Sequence, residues 1–306
     1  MPNSQTKPLI KTPIYYKPTI IFKRILNFIN KSIAKKNIKI NPQLVIFSFD
    51  HIGLSINSDG RYEDDQLRLL EHFINEKIPD SHKYAAVDIG ANIGNHSVFF
   101  SKFFNKVHSF EPNPITYDVL SLNSKYSNPK KNIVTYNFGL SDKNDSLLCS
   151  FASTNIGGAK IKTPDYDTSS HDKNIYIEVK IADEINSLQE ESISLIKVDI
   201  EGHEINALKG SEKIIKSNKP IILFEQGIEQ INNYSSETIE YLSQLNYSFY
   251  IIQKRFYFGN NLVARLLGMI LDSFFGNQLS FIKTNHFEKR QYDIILAIHN
   301  DEPHSS

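Results

Sequence analysis

Acidic residues and one histidine stand at the end of an apolar segment in the second half of the chain. Residues 193–200 are mostly apolar, and Asp199, Glu201 and His203 end or follow this segment. A positioned carboxylate or imidazole can take the proton of a hydroxyl while a new bond forms to its oxygen. We therefore name Asp199, Glu201 and His203 as the candidate catalytic residues.

A further carboxylate, Glu225, follows a second apolar segment at residues 220–224. In doubly wound sheets, ligands lie beyond the carboxyl ends of the strands, so these acids are expected along one edge. Oxygen ligands suit a Mg²⁺-like ion, which makes a divalent metal held by Asp199, Glu201 and Glu225 the rival mechanism. Carboxylates alone do not define a metal site, and no metal ligand is assigned.

A turn that contains two glycines organises the first half of the chain. Residues 84–97 read YAAVDIGANIGNHS, in which Asp88 belongs to an apolar run that Gly90 and Gly94 follow. Valine and isoleucine favour a buried strand, and glycine permits a sharp backbone turn. Apolar residues then return at helical spacing. This order predicts the start of an α/β unit whose helix N-terminus faces a ligand.

The spacing around this turn separates two kinds of nucleotide cofactor. A dinucleotide fingerprint needs glycines spaced G-x-G-x-x-G, but positions 92 and 95 are asparagine. Glu111 stands 21 positions after Gly90, about where Rossmann-like folds place an acid against ribose hydroxyls. A carboxylate there would repel a 2′-phosphate. The alternative for Glu111 is that it caps the next helix behind Pro112 and Pro114.

The chain resembles the FkbM family of class I S-adenosylmethionine-dependent methyltransferases. The matching blocks are VDIGANIG (87–94), FEPNP (110–114), GLSD (139–142) and LIKVDIEGHE (195–204), in the family's order between about residues 60 and 298. The resemblance implies a Rossmann-like, doubly wound, seven-stranded sheet. It also implies that S-adenosylmethionine is bound by Asp88, Gly90, Ala91, Asn92, Gly94, Glu111, Ser141 and Asp142.

The function implied by this resemblance is methyl transfer to a hydroxyl of a sugar, a glycan or a secondary metabolite. Tyr62 and Glu63 are expected near the site, or else they form only a turn and a helix start. Two other classes stay open at this stage. A nicotinamide-dependent oxidoreductase would share the sheet and Glu111 but needs the missing glycines. A non-catalytic cofactor-binding module would keep residues 88–94 without needing the acids at 199–204.

Composition narrows the other possibilities. The 306 residues suffice for one large α/β domain, and 34 basic residues balance 34 acidic ones, so no nucleic-acid partner is expected. Cys149 is the only cysteine, which excludes an internal disulfide and favours a small buried side chain in a reducing compartment. No signal peptide or run of eighteen apolar residues occurs. A cytoplasmic location is therefore expected, and the sequence leaves the oligomeric state open.

The predicted organisation is a basic extension at residues 1–59, a methyltransferase domain at 60–300 and a tail at 301–306. Nine Lys or Arg and no Asp or Glu precede Asp50. Residues 20–36 read as a basic amphipathic helix that either lies on an anionic membrane or docks its apolar face on the domain. Docking is the favoured prediction, because most amphipathic helices cover a core. Residues 44–49 read as a strand.

The last predicted feature is an insertion at residues 253–291, before a final strand at 292–298. Residues 262–275 of this insertion are rich in Leu, Ile and Phe. A dimer contact, a lid or a membrane surface could bury them. Ordinary packing against the sheet is the favoured prediction.

Overall fold

The computed structural model describes residues 20–151, 160–161, 173–256 and 262–301. Helices and strands alternate along most of this length. In chain order the elements are α1 (Ile20–Asn37), α2 (His51–Asp59), α3 (Asp64–Lys77), β1 (Ala85–Ile89), α4 (Asn95–Phe100), β2 (Lys106–Phe110), α5 (Pro114–Tyr126), β3 (Ile133–Tyr136), β4 (Gly139–Leu140), β5 (Asp145–Phe151), β6 (Lys160–Ile161), β7 (Lys173–Lys180), α6 (Asn186–Gln189), β8 (Ile193–Val198), α7 (Glu204–Lys209), α8 (Glu212–Asn218), β9 (Ile221–Gln226), α9 (Glu237–Gln244), β10 (Tyr247–Lys254), α10 (Leu262–Phe275), β11 (Leu279–Thr284) and β12 (Tyr292–His299).

The main sheet has the strand order β11-β10-β12-β9-β8-β1-β2-β3. Strands β3, β2, β1, β8 and β9 run parallel, whereas β12 pairs antiparallel with β9 and β10 antiparallel with β12. These seven strands confirm the predicted Rossmann-like, doubly wound fold. An eighth strand, β11, adds to the outer edge of β10 from within the predicted insertion.

Strand β1 is an interior strand between β8 and β2, and its five residues are all buried. Ala85, Val87 and Ile89 belong to one apolar cluster, while Ala86 belongs to the other, as the alternation of a strand requires. From β1 the chain winds to β2 and β3 on one side and later to β8 and β9 on the other. A ligand crevice is expected at such a reversal, beyond the carboxyl ends of β1 and β8.

A smaller sheet of four strands, in the order β4-β7-β5-β6, lies apart from the main sheet in hydrogen bonding. Cys149 on β5 is 1% exposed, and burial raises the pKa of its thiol to about 11. The sequence prediction that Cys149 is a small buried side chain is therefore confirmed.

The segment at residues 44–49 is not a strand, so that prediction was wrong. Asn123 on α5 accepts a hydrogen bond from the backbone N–H of Val45 (2.7 Å) and donates one to its carbonyl (3.0 Å). This one side chain satisfies both backbone groups of Val45, as a neighbouring strand would have done. The segment leads into α2, whose first turn is capped by the Asp50 carboxylate through the N–H of Gly53 at 2.6 Å.

Two apolar helices do not pack as predicted. Helix α1 forms where the sequence indicates it but contains no buried residue, so docking of its apolar face on the domain was wrong. The apolar side chains of α10 that can be described are mostly exposed, including Val263 at 76% and Phe274 at 80%. For these described side chains of α10, packing against the sheet was therefore also wrong. Within the described ranges, no helix is both long and apolar enough to cross a membrane.

The division into domains at residues 59 and 300 stays a prediction. All but residue 301 of the tail, like residues 1–19, lies outside the described residues. Helix α2 belongs to the predicted extension, yet its residues His51, Ile52 and Ser55 face the same cavity as the ends of the sheet strands.

Candidate active site

A cavity of about 510 Å³ lies at the carboxyl edge of the main sheet, where the reversal of strand order predicts it. Its wall comes from the loops after β1, β2, β8 and β9, from α2, and from the start of α3. The small sheet closes one side with residues of β4, β5 and β7. Residues far apart in the chain thus share one wall.

The glycine turn after β1 lines the cavity through Gly90, Ala91 and Asn92, between the ends of β2 and β8. Gly90 has φ +78°, and a Cβ placed there would lie 1.9 Å from the carbonyl oxygen of Asp199. Only glycine allows the first turn to approach the end of β8 this closely. Gly94 also has positive φ (+89°) and starts α4, but it lies behind the cavity wall.

Glu111 lies beside this turn and lines the cavity, and the residue is 8% exposed. It accepts hydrogen bonds from the backbone N–H groups of Asn92 (2.8 Å) and Asn113 (2.9 Å). Burial raises the pKa of Glu111, although these N–H groups act in the opposite direction. The helix behind it is capped by the Asn113 side chain, which accepts from the N–H of Ile115. Glu111 is therefore not the cap of α5.

Asp88 lies beneath the turn rather than in the cavity wall, and it is fully buried. Its carboxylate accepts a hydrogen bond from Ser97 Oγ at 2.6 Å, and Ser109 Oγ donates to Ser97 at 2.8 Å. Lys197 Nζ lies 3.4 Å from its other oxygen. Asp88 therefore holds the end of β1, the start of α4 and β8 together.

Ser141 and Asp142 stand just outside the cavity, while Gly139 and Leu140 of the same loop line it. Ser141 Oγ lies 2.9 Å from His203 Nε2 and 3.1 Å from Asp142 Oδ1. The Ser141 side chain therefore contacts His203, which lines the cavity.

Asp199 and Glu225 line the cavity at the ends of the neighbouring strands β8 and β9. Lys197 lies between Asp199 and Asp88. Lys197 Nζ lies 3.2 Å from Asp199 Oδ2. Burial raises the pKa of Asp199, but Lys197 and a hydrogen bond with Glu225 outweigh burial and lower it overall. Burial and the adjacent Asp199 raise the pKa of Glu225 to about 9. At neutral pH the pair is thus one carboxylate and one carboxylic acid.

Glu201 and His203 line the cavity on the loop between β8 and α7. Glu201 has φ +52° and Gly202 φ +101°, so this loop turns through left-handed backbone at two consecutive positions. Burial lowers the pKa of His203, which is therefore neutral at neutral pH. Glu204 is 1% exposed and accepts from the N–H of Gly202 at 2.9 Å, so its role is to hold the loop.

Tyr62 and Glu63, which were expected near the site, line the cavity. Glu63 has φ +57° and lies 3.2 Å from His96 Nε2 through its carboxylate. Burial and the neighbouring Glu63 raise the pKa of the Tyr62 hydroxyl. Asp293 of β12 also lines the cavity, and burial followed by Glu63 raises its pKa.

The lining is strongly acidic. Its described residues include six carboxyl groups and one lysine. Sequence reasoning did not place Lys197, His96 or Asp293 in the site. The sequence does contain one indication of Lys197, because it is the only charged residue in the otherwise mostly apolar strand β8. Among the described residues, no group of three or more His, Cys, Asp or Glu could hold a metal ion.

The strand order and the cavity at its carboxyl edge define the Rossmann-like fold of the class I methyltransferases. The chain belongs to the methyltransferase FkbM domain family, whose model matches residues 88–249. Membership in this family disfavours the nicotinamide-dependent oxidoreductase left open above.

Two curated relatives and one solved structure illustrate the similarity. The chain is 31% identical over 176 residues to the hexuronic acid methyltransferase AglP of Haloferax volcanii, covering 56% of this chain and 66% of the relative. It is 27% identical over 156 residues to the methyltransferase sdnD of Sordaria araneosa, covering 42% and 60%. The chain thus spans less than two thirds of either relative. The crystal structure of methyltransferase FkbM from Methylobacillus flagellatus matches with a TM-score of 0.38 and 19% identity, covering 71% of this chain and 44% of that one.

Proposed function

We propose that this protein is an S-adenosylmethionine-dependent O-methyltransferase whose acceptor is a hydroxyl of a sugar or of a related polyol metabolite. The observation that carries the proposal is a single cavity lined both by a buried ribose-type acid, Glu111, and by the carboxyl pair of Asp199 and Glu225. Family membership supports the reaction type.

The residues that line the cavity suit S-adenosylmethionine as the methyl donor. S-adenosylmethionine supplies a methyl group that is already activated on a positively charged sulfonium. The carboxylate of Glu111 can accept hydrogen bonds from the two hydroxyls of a ribose. Among the described lining residues, the carboxyl groups other than the protonated Glu225 outnumber the one lysine and provide the negative surroundings that a cationic ligand needs. Gly90, Ala91 and Asn92 complete the lining beside Glu111 with backbone and small side chains.

Asp199 is our candidate for the base that receives the acceptor's proton. Its carboxylate is ionised, lines the cavity, and is 40% exposed on its side-chain surface, so a hydroxyl can reach it. Lys197 and Glu225 hold this carboxylate in place, which aligns the acceptor oxygen for transfer. His203 is neutral, but its Nε2 already contacts Ser141. We therefore place Asp199 ahead of Glu201 and His203.

The charge of the lining also selects the reacting group of the acceptor. A reacting carboxylate would lie next to Glu63, Asp199 and Asp293, and like charges at short distance are unfavourable. An uncharged hydroxyl would not meet this repulsion. The curated relative named as a hexuronic acid methyltransferase supports a sugar, and the lining favours a hydroxyl of that sugar over its carboxylate.

The first test is titration calorimetry with S-adenosylhomocysteine, NAD and NADP in turn. We expect binding of S-adenosylhomocysteine alone, and binding of NAD alone would overturn the assignment. The Asp199→Asn variant should keep this binding and lose methyl transfer. Asp118→Asn, an exposed change on α5, is the matched control and should keep both.

The second test identifies the acceptor. Mass spectrometry of glycans and small metabolites from cells with and without the gene should find one species shifted by a single methyl group. Mild alkali releases methanol from a methyl ester and leaves a methyl ether intact. We expect an alkali-stable product, and an alkali-labile one would show that the acceptor is a carboxylate.

A further inference from the structure

Helix α1 is a basic amphipathic helix whose apolar side is open to solvent. Its 18 residues include none that is buried. The apolar side chains Ile21, Phe22 and Phe28 are 72%, 66% and 76% exposed. Soluble surfaces seldom leave apolar side chains clustered in this way without a binding partner.

The charges of α1 have one sign. The helix contains no Asp or Glu, and its basic residues are Lys23, Arg24, Lys31, Lys35 and Lys36. All five are exposed, and no acidic residue of the described ranges forms an ion pair with them. Most of these cations flank the apolar side rather than interrupting it, as helical spacing requires. A binding surface for α1 must therefore be apolar and negatively charged together.

We propose that α1 lies in the surface of an anionic lipid bilayer, with its apolar side in the acyl boundary and its cations among the headgroups. A helix of this length extends for about 27 Å, which suits binding in the plane of an interface. Lysine stems can extend along the apolar boundary and place their ammonium groups among anionic headgroups. A second copy of the same helix fits less well, because pairing the apolar sides of two such helices would bring the flanking cations of one close to those of the other.

The position of α1 connects this surface to the cavity. The Asn37 side chain at the end of α1 donates to the carbonyl of Ser58 on α2 at 3.3 Å. His51, Ile52 and Ser55 on the same α2 line the cavity. Helix α2 thus connects α1, which would bind the bilayer, with the cavity wall. Membrane binding does not depend on the proposed methyl transfer.

The test is flotation of the full chain with vesicles, measured without cofactor or acceptor. Vesicles of phosphatidylcholine with 30% phosphatidylglycerol should carry the protein at low salt, and pure phosphatidylcholine should not. Each cation near an anionic surface strengthens partitioning onto that surface about fivefold. The double variant Lys31→Gln/Lys35→Gln should therefore partition onto the anionic vesicles about 30-fold more weakly. High salt should act in the same direction.

A second pair of variants tests whether binding depends on the apolar side of α1 or on any exposed aromatic side chain. Phe28→Gln should weaken partitioning about tenfold or more, because a buried phenyl ring drives insertion. Tyr126→Gln, at 69% exposure on α5, is the matched control and should leave it unchanged. All these residues are exposed, so thermal unfolding should stay at the wild-type midpoint. Equal flotation of wild type and Phe28→Gln would overturn the proposal. So would a dimer in light scattering that Phe28→Gln dissociates while neither protein floats.

Discussion

Replacing Lys197 with methionine should destabilise the protein more than any surface lysine replacement. Lys197 is 7% exposed, and its ammonium group lies 3.4 Å from Asp88, which is fully buried. At an effective dielectric constant of about 20, this distance corresponds to about 5 kcal/mol of gross attraction. Desolvation offsets much of it in the native pair. Removing the lysine leaves the desolvated Asp88 carboxylate without a counter-ion, which costs about 3–5 kcal/mol.

The ion pair between Lys197 and Asp199 contributes less to stability than the pair between Lys197 and Asp88. Asp199 is 3.2 Å from Lys197, but its side chain is 40% exposed, so solvent screens the pair. We assign it less than about 1 kcal/mol. The loss expected for Lys197→Met is therefore a large share of the free energy of unfolding, which is about 5–15 kcal/mol for typical folded proteins. Urea unfolding followed by circular dichroism at pH 7 measures the difference directly.

Two controls make this prediction specific. Lys197→Met/Asp88→Asn removes the unpaired charge together with its partner and should recover at least half of the lost stability. Lys216→Met breaks an exposed pair with Glu212 on α8 and should cost less than about 1 kcal/mol. A Lys197→Met protein within about 1 kcal/mol of the wild type would refute the reasoning. So would a double variant no more stable than the single one.

The remaining predictions concern the turn and two carboxyl groups of the cavity. Gly90→Ala and Gly276→Ala both place a side chain at φ near +80°, but only the first meets an atom, the Asp199 carbonyl at 1.9 Å. Gly276→Ala should therefore cost about 1–2 kcal/mol and Gly90→Ala about 1–3 kcal/mol more in urea unfolding; equal costs would contradict the described contact. Glu111→Gln keeps the size but loses the charged acceptor, and calorimetry should find S-adenosylhomocysteine bound about 10- to 100-fold more weakly. Unchanged affinity would remove Glu111 from the cofactor site. Between the ordinary pKa of 4.5 and the folded value of about 9, Glu225 holds a proton that the unfolded chain has lost, so this residue lowers stability as pH rises. Glu225→Gln should therefore gain stability relative to the wild type between pH 5.5 and 8.5, and parallel pH profiles would show that Glu225 is not protonated in the fold.

Local patterns predicted several of the strands, and the resemblance to a known family implied the class of fold. Valine and isoleucine runs ending in glycine or an acid indicate where the parallel strands end, and ligands bind at that edge by the geometry of the fold. This is why Gly90, Glu111 and Asp199 could be assigned to one edge from residue types and spacing alone. The structure brings all three into one cavity wall.

The pairing of strands, however, depends on register, which residue types do not specify. Asp88 stands directly opposite Lys197 on β8 and opposite Ser109 on β2, and this alignment creates the buried ion pair. A shift of one residue would have turned these side chains to other faces. Asp293 lies on the last strand, more than 200 positions from Glu63, and lines the same cavity. Its position there also depends on how the strands pair.

Amphipathic helices show the same division between what is local and what is not. The period of apolar residues in α1 determines that one side of the helix is apolar, because side-chain direction follows the helical turn. Whether the rest of the chain covers that side depends on the elements packed around it, and the tertiary structure leaves it open. The residues of this protein therefore determined the elements and their chemistry. Only the packing of those elements decided which charges are buried together and which apolar surface faces the solvent.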